Sequence, residues 1–426
     1  MRRLLICCLL LALCQGGFAQ KWEYDFIVPD DGGFMEAVHA ANARLDKDKR
    51  FRIFIRAGHY FVKGEGYTLS TTELGQEVRF PSPITTLTAS NTSIVGEDWT
   101  TTQVENRPVH EGISITSTLF VKGADHTYLQ DFELWCNLRD NVNPLAGRAV
   151  SLHERNCSRN ILVNMSLNST QDTYWTNEGG TTYLDGCHVA GTVDFICGGG
   201  TVFFYQCDIE LIKRSNYEKR DIIVAPATAE HLDYGFVFDR CRVYSADSVR
   251  FHLGRPWRYY PRCAFVNCRF ETLPDPVGWT NMSGNRPKLL TEYGSVDKAG
   301  RMIDLSQRRR VFEDRQKRQY EVDYSPVLTD EEVKAYTLDK VFPDWNPREG
   351  ARQVTPPLVT LRGRTVRWED IPEAGCYAVY LDDTLHTFVT EPEYVVPLTY
   401  STGTRVAIRC ANQMGGLGKK SNTVVI

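Results

Sequence analysis

The 426-residue sequence predicts an all-β protein, a parallel β-helix followed by a small β-sandwich. Two observations carry this. Six short segments of one shape recur through the middle of the chain: DFEL (131–134), NMSL (164–167), GCHV (186–189), QCDI (206–209), RCRV (240–243) and NCRF (267–270). Their second positions are spaced by 33, 22, 20, 34 and 27 residues, a basic period slightly above 20 with insertions, as expected when each coil of a solenoid is one unit and insertions leave as loops. After about Asp344 the pattern changes to short alternating strands punctuated by turns.

The elements follow in order. MRRLLICCLLLALCQGGFAQ has two arginines, an apolar run and small residues at Gly17 and Ala19, which reads as a secretory signal over 1–19, cleaved after Ala19. A lipidated Cys14 is disfavoured because Leu13 before it is not small. Loss of Arg2 and Arg3 takes the formal charge from −4 to −6, so no general attraction to nucleic acid or to an anionic membrane is expected. No later stretch is apolar for the roughly 20 residues that a membrane span requires. FMEAVHAANARL (34–45) has helical spacing, suited to covering the open end of a solenoid, and FRIFIRAGHY (51–60) alternates like a first strand.

In each repeat an apolar or cysteine residue is followed two places later by another apolar residue, the alternation of a strand with one buried face. Cys187, Cys207, Cys241 and Cys268 are therefore expected to stack inside the solenoid as free thiols acting as small hydrophobes. No CxxC pair supports zinc. The β-helix is assigned to residues 20–347. VRWEDIP, CYAVYLD, EYVVPL and RVAIRCAN form the tail, residues 355–426, which resembles a fibronectin type III module with Trp368 and Tyr377 as core aromatics.

The period also organises chemistry. Asp194 interrupts the apolar run GTVDFICGGG, and an unpaired carboxylate there is costly. It lies seven residues after Cys187, as Asp172 lies seven after Met165, so the two aspartates fall one coil apart, about 4.8 Å in the strand-to-strand direction. Two carboxylates that close divide into one protonated and one ionised group. The spacing alone also fits a retaining glycosidase. The amide of Gln171 beside Asp172, able to hold an oxyanion, and Arg255 in HLGRPWR, able to keep an aspartate ionised, favour acyl transfer.

QDTYW, GTVDFICGG and LGRPW, in that order, resemble the signatures of the pectin methylesterases, carbohydrate esterases built on a right-handed parallel β-helix. The likeness runs from DDGGFMEAVHAA (30–41) to FPDWNP (342–347). It implies Asp194 as nucleophile, Asp172 as acid and then base, Gln171 as an oxyanion donor and Arg255 as the partner of Asp194. Trp257 and Phe195 would line the sugar cleft, with Arg148 and Tyr174 as further substrate contacts. The implied reaction is hydrolysis of galacturonate methyl esters in pectin by an exported monomer needing no metal or cofactor. A β-helix glycosidase or lyase, or a non-catalytic pectin binder, are the alternatives.

The sequence departs from the family pattern at Arg148, where Gln is usual, at Tyr174 and Trp175, where Leu and Tyr are usual, and at Cys197, where Phe is common. Arg148 is expected to favour ionised Asp194 and to select substrates with a nearby free carboxylate. His153, His188 and His252 are read as hydrogen-bonded structural residues, and the basic run 308–318 as a solvated face.

Overall fold

The computed structural model describes residues 20–62, 67–71, 76–80, 85–138, 147–177, 179–214, 221–246, 249–258 and 260–426, with backbone alone over 67–71 and 76–80. The leader expected over 1–19 lies outside the described residues. Three long parallel sheets of ten, nine and seven strands run through the first part of the chain, each strand pairing with its counterparts in the neighbouring coils. This is a right-handed parallel β-helix.

The repeat has a direct structural meaning. First-sheet strands end at Gln130, Val163, Asp185, Tyr205, Asp239 and Val266, and second-sheet strands begin at Glu133, Ser166, His188, Asp208, Arg242 and Arg269. Two residues make each corner. The first is left-handed in all six of these, with φ of 59° at Asp131, 47° at Asn164, 60° at Gly186, 50° at Gln206, 54° at Arg240 and 53° at Asn267. Asp, Asn and Gly enter that region most readily, and four of the six corners use them. The second corner residue points inward: Phe132, Met165, Cys187, Cys207, Cys241 and Cys268 are all fully buried.

The ladder thiols are unbonded to one another by disulfides and donate to backbone carbonyls, as Cys241 does to Phe204 O at 3.4 Å and Cys268 to Phe238 O at 3.5 Å. Alongside them Phe204, Phe238 and Phe265 stack face to face at 4.3 and 4.4 Å. Helix Phe34–Ala43 buries Phe34, Ala37, Val38 and Ala41 in the same core, against the first strands of the first and third sheets.

The cations of the basic run from Arg310 onward are exposed, with Arg310 paired to Glu321 at 2.9 Å and Arg318 to Asp314 at 2.8 Å. Arg308 is the exception. It is buried against Glu292 of the TEYGS stretch at 3.1 Å, with 1% and 0% of the two side chains exposed.

The described residues divide into two compact units, one of Tyr24–Arg352 with Met414–Gly416, the other of Gln353–Gln413 and Leu417–Ile426 with residues 20–23. In the second unit two antiparallel sheets, of three and five strands, enclose Val366, Trp368, Tyr377, Val379 and Ile408. Trp368 and Tyr377 meet edge to face at 5.2 Å. Lys21 and Trp22 belong here rather than to the β-helix, since Lys21 Nζ pairs with Asp370 at 2.6 Å and the Trp22 N–H donates to Gly375 O at 3.1 Å.

Candidate active site

The site lies on the third sheet. Strand Tyr174–Thr176 pairs with Val193–Gly198 so that Tyr174 faces Ile196, which brings Asp172 into register with Asp194 as the coil arithmetic requires. The Asp172 N–H donates to Val193 O at 3.3 Å. Both aspartates are left-handed, with φ of 64° and 51°. Such strain in non-glycine residues concentrates at functional sites.

Register with the next strand, Asp221–Pro226, shifts between Val193 and Ile196, a bulge at Asp194. Bulges re-aim side chains. Here Phe195 and Ile196 both enter the core, while Asp194 leaves it and meets Arg255. This is how an apolar strand carries a carboxylate.

Arg255 grips Asp194 with Nε at 2.9 Å from Oδ1 and Nη2 at 2.5 Å from Oδ2. Burial pushes the Asp194 carboxyl up, and the hydrogen bonds and charge of Arg255, with the charge of Arg214, oppose it. The two-pronged grip is made to a carboxylate, so Asp194 is the ionised member. Asp172, 6% exposed, is pushed up to about 8, first by burial and then by the charge of Asp194; Arg148, the Cys197 thiol and Arg255 act the other way. One carboxyl holds a proton at neutral pH and the other a charge.

Gln171 is half-buried, joined to Arg148 by a parallel bridge, and its side-chain amide makes no hydrogen bond to the described residues. Arg148 is exposed and Nη2 donates to Glu111 Oε1 at 3.3 Å. Its charge acts on Asp172, and the cations with the largest effect on Asp194 are Arg255 and Arg214. Trp257 is half-buried, with the Arg258 guanidinium 5.3 Å from its ring centre.

Two expected substrate contacts are overturned. Tyr174 and Phe195 are fully buried in the β-helix core, and the Tyr174 hydroxyl donates to buried Glu154, so neither ring can line a cleft. Strand alternation turns the next residue, Trp175, outward instead. It stacks on His153 at 3.9 Å, and His153 stacks on Phe120 at 4.1 Å. His153 bonds Asn177 Oδ1 at 2.7 Å, and burial pushes it down to about 4, so the stack is uncharged. The spacing of 22 that aligns the aspartates also aligns His153 with Trp175, a signal present in the sequence.

Arg214 carried no such signal. It pairs with Asp221 at 2.5 Å, with 6% and 3% of the side chains exposed, and burial pushes Asp221 up to about 6 against that cation. His188 behaves as a structural residue, bonded to Glu210 at 2.8 Å and to Ser166 at 3.2 Å.

Comparison with known proteins bears on the fold and the family. The chain is 27% identical over 308 residues to a probable pectinesterase/pectinesterase inhibitor 36 of Arabidopsis thaliana, covering 67% of this chain and 54% of that one. It is 30% identical over 183 residues to a probable pectinesterase A of Aspergillus niger, covering 42% and 49%. The chain thus spans about half the length of the curated relatives it matches. The pectin methylesterase structure from Erwinia chrysanthemi superposes with a TM-score of 0.58 at 22% identity, over 76% of this chain and 99% of that one. The carrot enzyme gives 0.59 at 19% identity, over 76% and 95%. The pectinesterase family model matches residues 84–337, more than half of the sequence, and the chain therefore belongs to the pectinesterase family.

Proposed function

We propose that this protein is a pectinesterase that removes methyl esters from galacturonate residues of pectin and releases methanol. The observation that carries the reading is the in-register pair of left-handed aspartates in which Arg255 grips Asp194 while burial keeps a proton on Asp172. Asp194 attacks the ester carbonyl, and the Gln171 amide donates to the oxyanion that forms. Asp172 gives its proton to the departing methanol and then takes one from the water that cleaves the acyl-enzyme. This cycle restores both groups. Arg148, held by Glu111, stands beside Asp172 as a contact for a neighbouring uronate carboxylate, and Trp257 as a sugar contact.

The β-helix works as an exported monomer, its leader spanning 1–19, and residues 355–426 act as a fibronectin type III-like spacer. The two antiparallel sheets around Trp368 and Tyr377 support that last assignment.

Asp194→Asn tests the reaction. The variant should fold, retain binding of methylated oligogalacturonate and lose methanol release by at least about 10³-fold, as loss of a nucleophile does. A variant within tenfold of the wild-type rate removes Asp194 from that role, and new reducing or unsaturated ends in the wild-type reaction would favour a glycosidase or lyase.

A further inference from the structure

A second groove lies away from the aspartates, at the ends of first-sheet strands. Tyr205, Asp239, Val266 and Tyr293 are successive end residues there, in register from coil to coil. The segment after residue 328 passes beside them, with the Tyr293 hydroxyl donating to Asp330 Oδ1 at 2.9 Å and the Tyr234 hydroxyl to Ala335 O at 3.0 Å. Between strand ends and segment is a cavity of about 480 Å³, lined among others by Tyr205, Tyr293, Tyr336, Arg240 and Arg348. That size falls in the range of about 300–1,000 Å³ usual for small-ligand clefts.

Its chemistry is specific. The guanidinium of Arg348 lies 4.9 Å from the centre of the Tyr205 ring and that of Arg240 5.8 Å, while Arg240 Nη1 also donates to the Tyr205 hydroxyl at 3.4 Å. Two like charges thus converge on one ring. The nearby carboxylate of Asp239 stands 3.9 Å from Arg240 Nε, beyond hydrogen-bond length, and Asp339 is exposed at the rim. Lys334 is already paired with Glu331 at 2.5 Å. Both arginines are exposed to solvent; Arg348 also bonds the Tyr183 side chain and interacts with the carboxylates of Asp185, Asp239 and Asp339, so a ligand carboxylate would share the guanidinium with these partners. A second cavity of about 660 Å³ shares Leu338, Asp339 and Arg348 and adds Trp345, which extends the aromatic lining past Arg348.

We propose that this groove binds an acidic oligosaccharide, with the tyrosine faces and Trp345 against sugar rings and Arg240 and Arg348 on a uronate carboxylate. Planar guanidiniums match a carboxylate in two-pronged geometry, and aromatic rings accept the apolar faces of sugars without demanding one ring substituent. A methyl-esterified unit lacks the charge that the arginines require. The groove therefore holds chain segments already carrying free carboxylates. The choice of a uronate as the acidic sugar rests on the pectinesterase reading; the convergence of two arginines on an aromatic groove does not.

Calorimetric titration of unesterified trigalacturonate into the full chain tests this, using wild type, Asp194→Asn and the double variant Arg240→Gln/Arg348→Gln. Wild type and Asp194→Asn should bind, and the double variant should weaken binding at least tenfold while releasing methanol from short methylated oligomers at the wild-type rate. Both arginines are exposed, so the double variant should keep the wild-type circular dichroism. A conserved affinity in the double variant, equal affinity of the wild type for neutral galactotriose, or no binding by the wild type at millimolar ligand each overturns the proposal. Failure of the pectinesterase reading would appear separately, as absence of methanol release by the wild type.

Discussion

At the scale of single residues, the division of labour between Asp172 and Asp194 comes from one asymmetry: Arg255 reaches only Asp194 with hydrogen bonds. The dyad then titrates as a unit, and its alkaline step reports loss of the proton on Asp172, pushed up to about 8. Methanol release should fall as pH rises through about 8, and Asp172→Asn should abolish that limb together with most of the rate. Stability follows the same proton. The folded pKa lies above the roughly 3.9 of an unfolded aspartate, so the stability tied to this proton is present below about 4 and is lost as pH rises through about 8. Asp172→Asn should therefore melt higher than wild type at pH 9 and gain much less at pH 4; a gain equal at both pH values would remove the carboxyl from this account.

At the scale of elements, the strand carrying Asp194 is shaped by glycine. Gly198 has φ of 115°, and a Cβ there would lie 1.6 Å from Thr176 O, so no side chain fits without moving the neighbouring coil. Gly198→Ala should cost about 3 kcal/mol or more in guanidinium unfolding and depress activity through displacement of the Asp172 strand. A loss below about 1 kcal/mol would mean that the strand adapts. The corner thiols make a complementary case. Burial raises the thiol pKa of Cys241, and no solvent reaches it, so it should resist alkylating reagents in the folded protein and react once the chain is denatured. Mass spectrometry showing modification of Cys241 under native conditions would contradict the inward corner.

At the scale of the whole molecule, a parallel solenoid stacks coils in one direction and leaves an open end that must be covered. Helix Phe34–Ala43 covers the N-terminal end of this one, with Phe34 3% exposed and 6.5 Å from Phe132, the first of the inward corner residues. Phe34→Ala should lower stability by about 3–5 kcal/mol and, by uncovering strand edges, promote association visible in light scattering. Equal destabilisation with no change in association would assign the helix a packing role alone.

The stacking of coils, the inward corner residues and the alignment of Asp172 with Asp194 were determined by the sequence, because in a parallel solenoid residue spacing converts directly into spatial register. The same arithmetic stacks the cysteines inside, and the structure leaves them as free thiols. Tertiary structure alone decided which way residues beside the site face. Tyr174 and Phe195 look like cleft aromatics in a linear reading, yet the left-handed turns and the bulge at Asp194 send both into the core and turn Trp175 outward. Arg308 reads as one of several solvated cations, and only the packing of a later segment over TEYGS buries it with Glu292. Arg214 and Asp221, and the convergence of Arg240 and Arg348 on Tyr205, were likewise invisible, since they join residues whose separations obey no period. Spacing within the repeat encodes what the backbone ladder enforces; contacts made by insertions and by the closing segment depend on where those segments pack, and no local pattern records that.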